Sequence, residues 1–143
     1  MLTGSLAIKN VTPIIVRGAE QLLNENAVKI IEKLEKTYNK PFPFNEVAVY
    51  ITTANIHPYN YEEKWFMSGR NQSEQGHLRT AMHELNHFMF YYYYPHLKDK
   101  LGNEKFEILK EALAIYTLLK TNRSNLIGVF PAHNNPSENF NQF

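Results

Sequence analysis

The longest regular alternation of apolar and polar positions lies at residues 73–94. This stretch has no proline, and its single glycine is Gly76. Projected at about 100° per residue, Leu78, Met82, Leu85, Met89 and Tyr92 share one face, and His83 and His87 share the opposite one. Ser73 is suited to cap the start, with Glu74 and Gln75 in the first turn, and Pro95 ends the run. A helix with one apolar face and one polar face is expected here. The aromatic run at 88–94 predicts burial for Phe88, Met89 and Tyr92, with Tyr91 and Tyr94 nearer the polar face as pocket residues.

A second helical pattern runs over residues 18–40, where Leu23, Ala27, Ile30, Ile31, Leu34 and Tyr38 recur at three and four. The Asn-Lys-Pro-Phe-Pro stretch at 39–43 ends it. Residues 6–16 mix β-branched side chains with Pro13 and predict a short edge strand or an extended arm. Residues 47–52 (Val-Ala-Val-Tyr-Ile-Thr) form the clearest strand. Residues 55–60, with Pro58, predict a loop, and residues 65–68 a second strand closed by Gly69. After a loop at 96–102, Asn103 caps a helix reaching about Lys120, with Phe106, Leu109, Ala112, Leu113, Tyr116 and Leu119 as its apolar face. In the tail, residues 127–130 are expected to dock and residues 134–143 to be loose. The expectation is one α+β domain over residues 1–143, a small mixed sheet packed on the 73–94 helix and the helix after it.

Composition narrows the function. Fifteen basic and 14 acidic side chains give a net charge of +1, which offers no footprint for nucleic acid or an anionic membrane. No apolar run approaches the ~20 residues of a membrane span. Residues 1–17 lack a charged segment followed by an apolar core, so no signal peptide is expected and a cytoplasmic location is the default. There is no cysteine, so a metal site must use histidine and carboxylate.

The chemistry centres on His83-Glu84-Leu85-Asn86-His87. Histidines four apart on a helix can share one metal ion. Glu84, turned by about 100° from His83, can reach a water on that ion. A catalytic zinc takes three protein ligands. The longer pattern H-E-x-x-H-x-x-G-x-x-H of the metzincins is excluded, because Phe90 and Tyr93 stand at its glycine and histidine positions. On the later helix, Glu107 projects with Lys110 and Thr117 toward solvent. Glu111 lies at the edge of the apolar face between Ile108 and Ile115. Glu111 is therefore the candidate third ligand, with His96 as the alternative. Ala112 and Ala114 let this helix approach closely. His57 is expected on the surface, and His77 in solvent or capping contacts.

The His83–His87 motif followed by Glu111-Ala112-Leu113-Ala114-Ile115-Tyr116 resembles the gluzincin type of zincin metallopeptidase, in its minimal-scaffold form. The resemblance implies a zincin-like fold, a Zn2+ cofactor on His83, His87 and Glu111, and Glu84 as general base. It also implies a peptide or protein substrate laid along an upper edge strand, matched here by residues 65–68. Tyr116 or His133 is implied as the oxyanion-stabilising or pocket residue. One position departs: Ile115 stands where the thermolysin type carries an aspartate that orients a zinc histidine. The alternative function is a latent or non-catalytic zinc-binding interaction module, with the C-terminal tail covering the cleft.

Overall fold

Alternation along the strand β2 (Glu46–Thr52) sets the layers. Val47, Val49 and Ile51 are buried, while the residues between them are half-exposed. The computed structural model describes residues 5–9, 13–54 and 57–123, with side chains placed over 19–54 and 57–121. The other elements are β1 (Ser5–Lys9), α1 (Pro13–Tyr38), β3 (Tyr59–Asn60), β4 (Trp65–Gly69), α2 (Glu74–Tyr93), α3 (Leu97–Leu101) and α4 (Asn103–Arg123). The arrangement is α+β, with a mixed sheet in the order β1-β2-β4-β3. The first three strands of that order run parallel, and β3 runs antiparallel to β4.

The buried face of the sheet carries both long helices. Leu23, Ala27, Ile30 and Leu34 of α1 and Leu78, Met82, Leu85 and Met89 of α2 share one core with Val47, Val49 and Phe66. Burial of these side chains is the main drive for the fold, at about 1.5–3 kcal/mol for each large one. Helix α4 lies outside this layer, against α2, with Phe106 and Ala114 buried.

Several boundaries differ from expectation for physical reasons. Pro13 opens α1 instead of sitting in an extended arm. A proline at the first helical position has the right φ and lacks an N–H that would be unpaired there anyway. Helix α1 ends at Tyr38, where Asn39 takes φ 51 and Lys40 N donates to Glu35 O at 3.2 Å. Tyr59 and Asn60 are a strand, not a loop, and β4 is not the edge. β3 covers β4 through the pairs Tyr59–Phe66 and Asn60–Trp65, helped by Met67 N donating to Pro58 O at 2.9 Å. A short turn joins them: Asn60 Oδ1 accepts from Glu63 N, and Lys64 sits at φ 57 with its Nζ on the Tyr61 and Glu62 carbonyls. Ser73 caps α2 as expected, accepting from Gly76 N at 3.1 Å. Residues 97–101 form a short helix instead of a loop. Tyr92 is 50% exposed, against the expected burial. Residues 127–130 and 134–143 of the tail lie outside the described residues.

The largest departure is in α4. Leu109, Ala112, Tyr116 and Leu119 face solvent, whereas Lys110, Thr117 and Thr121 are buried. The inward side of α4 is mixed: Phe106 joins the apolar core as expected and Leu113 packs against it, while the polar residues meet polar partners on α2 and β3. Asn86, fully buried, accepts from Tyr38 Oη of α1 at 2.7 Å and donates to Thr117 Oγ1 at 2.8 Å. Thr117 Oγ1 in turn donates to Leu113 O at 2.8 Å. One side-chain amide thus ties α1, α2 and α4 together. Asn86→Leu would remove the 2.7 Å acceptor of the Tyr38 hydroxyl, leaving it the 3.2 Å contact to the Asn86 carbonyl, and the amide that donates to Thr117 Oγ1, so a loss of about 1–3 kcal/mol of unfolding free energy is expected in denaturant titration. A loss below about 1 kcal/mol would show that the tie contributes little.

Candidate metal centre

Helix α2 places His83 and His87 one turn apart with their ring centroids 4.4 Å apart. His87 is buried to 1% exposure by its side chain, and His83 retains 27%. The crossing of α4 over α2 brings Glu111 to both. Its Oε2 lies 3.2 Å from His83 Nε2, and its Oε1 lies 3.3 Å from His87 Nε2. Glu84 completes the group, since a ligand atom from each of His83, Glu84 and His87 lies within 4.8 Å of the others.

The donor set fits a zinc ion. Ligand atoms ~2.0–2.1 Å from a tetrahedral zinc lie ~3.3 Å from one another. The two nitrogen–oxygen separations, made by the two oxygens of one carboxylate, are close to that edge length. Protonation also fits. Burial, then the neighbouring His83 and Lys110, lower the His87 pKa to about 2, and burial holds His83 below its ordinary value against the pull of Glu111. Both shifts favour the neutral ring, the form that ligates a metal. Glu84 is buried with Oε2 unpartnered, and burial plus the Glu111 charge push its carboxyl up to about 8. His87 Nδ1 is also buried without a partner. Among the described residues no acidic side chain bonds that nitrogen.

A second cluster adjoins the site, and apolar periodicity gives no sign of it. Lys110 Nζ, on a side chain with 3% exposure, donates to Glu107 Oε2 at 2.6 Å and Tyr59 Oη at 2.7 Å, and lies 3.4 Å from both Tyr91 Oη and Glu111 Oε1. Burial alone would lower this lysine, but the bonds to Glu107 and Tyr59 outweigh it and hold it above its ordinary value. The expectation that Lys110 points to solvent is corrected, while Glu107 remains half-exposed at 47%. The Tyr59 ring lies 5.3 Å from the His87 ring. Tyr91 lines a cavity that none of the candidate ligands bounds. With Tyr59, Tyr61, Phe106, Pro95, Glu62 and Lys98 it bounds this cavity of about 360 Å³. Tyr94 lines a different cavity, with Tyr38 and Phe90.

Of the other sequence candidates among the described residues, His57 lies near enough to His83 to add to the lowering of its pKa. Tyr116 is exposed, about 140° around α4 from Glu111, with Lys120 Nζ 5.9 Å from its ring centroid. His96 is exposed at the start of α3, and His133 lies outside the described residues. His57 is exposed, as expected, with Nε2 3.3 Å from Gln72 Nε2. His77 is buried, contrary to expectation, with Nδ1 2.7 Å from Ser68 Oγ. Ser68 donates its one hydroxyl proton to Gln72 Oε1 at 2.7 Å, so His77 must carry its proton on Nδ1 and donate to Ser68.

Comparison of the chain with models of known families, with curated proteins and with solved structures returned no match.

His77 gives a test by pH. Burial, then nearby His57, lower its pKa from 6.5, so the unfolded chain binds its proton first. The stabilisation is complete above pH 6.5 and is lost as pH falls toward the folded value. Metal-free His77→Gln is expected to lose less unfolding free energy between pH 6.5 and 5 than the metal-free parent, because His83 and His87 contribute in both. Equal losses in calorimetry or denaturant titration would contradict this assignment.

Proposed function

We propose that the protein is a zinc-dependent metallopeptidase of the gluzincin type, with His83, His87 and Glu111 holding the ion and Glu84 as general base. The observation that carries this reading is the Glu111 carboxylate reaching both imidazole Nε2 atoms, at 3.2 and 3.3 Å, beside the unpartnered Glu84 oxygen. Zinc, when bound, lowers the pKa of a coordinated water toward ~7 and polarises a carbonyl. Glu84 is the residue that would accept a proton from an attacking water, at Oε2, and return it to the leaving amine nitrogen. An extended peptide would add to the outer edge of β3, the antiparallel edge strand that precedes α2.

A second reading is a latent or non-catalytic zinc-binding module on the same scaffold. It is favoured by the bare His87 Nδ1 and by the position of Tyr116, turned away from Glu111. The two readings separate in one variant. Protein purified without chelator is expected to carry one zinc per chain by elemental analysis. Glu84→Gln should keep that zinc and lower peptidase turnover by about 10²–10⁴-fold. Undiminished turnover in the zinc-loaded variant would contradict the mechanism. Zinc without turnover in the parent protein would favour the module.

A further inference from the structure

Lys110, Tyr59, Tyr91 and Glu107 close a ring. Lys110 Nζ donates to Tyr59 Oη and to Glu107 Oε2. Tyr91 Oη donates to Glu107 Oε1 at 3.2 Å, so the 3.1 Å contact between the two phenols must be Tyr59 donating to Tyr91. The ring spans three elements: β3 through Tyr59, α2 through Tyr91, and α4 through Lys110 and Glu107. It touches the candidate ligands at two points. Lys110 Nζ is 3.4 Å from Glu111 Oε1, and the Tyr59 ring packs on His87. Lys110 also lies over the faces of Tyr59 and Tyr91, 5.2 and 5.4 Å from their centroids.

We propose that Lys110 is the positioning residue of the metal centre, holding the Glu111 carboxylate and, through Tyr59, the His87 imidazole at the spacing a zinc ion needs. The inference rests on the metal-site reading above. A buried lysine beside a dication is at first sight a liability, because like charges repel. Glu107 removes that objection: its carboxylate pairs with the ammonium at 2.6 Å, and what reaches Glu111 Oε1, at 3.4 Å, is the attraction of an ammonium already neutralised by its own partner. Lys110 thereby does from the glutamate side what an acidic partner of a ligand histidine does elsewhere, which is to fix ligand orientation before the ion arrives. The same ring fixes the spacing of the edge strand from both helices, so ligand geometry and the peptide-binding edge are set together.

The sign of one effect separates this role from a simple charge effect. Zinc affinity is measured by competition with a chromophoric chelator for the parent protein, Lys110→Met, Lys110→Arg and Tyr59→Phe. Near-ultraviolet circular dichroism of each metal-free protein reports the fold. Positioning predicts that Lys110→Met binds zinc about 10–100-fold more weakly, with Lys110→Arg recovering much of the loss because it can still donate to Glu107 and Tyr59. A charge acting only by repulsion predicts tighter binding in Lys110→Met. Equal or tighter binding, with the parent loading zinc, overturns the proposal. If Lys110→Met does not fold, Tyr59→Phe decides: a several-fold loss supports the ring, and unchanged affinity overturns it. A parent protein that takes up no zinc overturns the metal-site reading itself, and this inference with it, and the parent measurement alone identifies that outcome.

Discussion

The crossing of α4 over α2 is the constraint on which the candidate site depends. Two histidines one turn apart follow from any helix at that sequence. A carboxylate between them follows only if a second helix crosses at the right height and rotation. Polar ties at both ends set that crossing: Asn86 to Thr117 on one side, and the Lys110–Tyr91–Glu107 contacts on the other. Glu111 lies between them in sequence on α4. Hydrophobic contact alone would leave such a crossing free to slide, because apolar burial has no direction. Hydrogen bonds between buried groups have both length and angle, and each unmade one is costly.

Burial then sets the chemistry of the groups so placed. The same desolvation that keeps His87 neutral raises Glu84 toward neutrality. Glu111 stays half-exposed at 48%, so the group is open on the α4 side and closed on the α2 side. This asymmetry leaves the candidate metal position reachable from the α4 side and keeps Glu84 away from bulk water.

The sheet strand at 46–52, helix α2 and its serine cap were legible because apolar period and cap chemistry agree there. The His83, Glu84 and His87 group was legible from spacing alone, and Glu111 from its place at the edge of a helix face. Along α4 hydrophobicity is a partial guide: Phe106 and Leu113 pack inward as it indicates, but the rest of the apolar face does not. Ile108, Leu109, Ile115, Tyr116 and Leu119 are exposed, and the packed stripe carries Lys110, Thr117 and Thr121. A polar stripe packs inward only if its partner is polar, and that partner, Asn86, is fixed by the fold and not by the α4 sequence. Tyr59 was hidden for a related reason. A two-residue strand has no periodicity to detect, and only its pairing with β4 defines it.

The most direct test is an anomalous-scattering map at the zinc edge from crystals of the protein grown with equimolar zinc. The account predicts one strong peak about 2.0–2.2 Å from His83 Nε2, His87 Nε2 and a Glu111 carboxylate oxygen. No peak there, or a peak held by other side chains with Glu111 turned away, would contradict it.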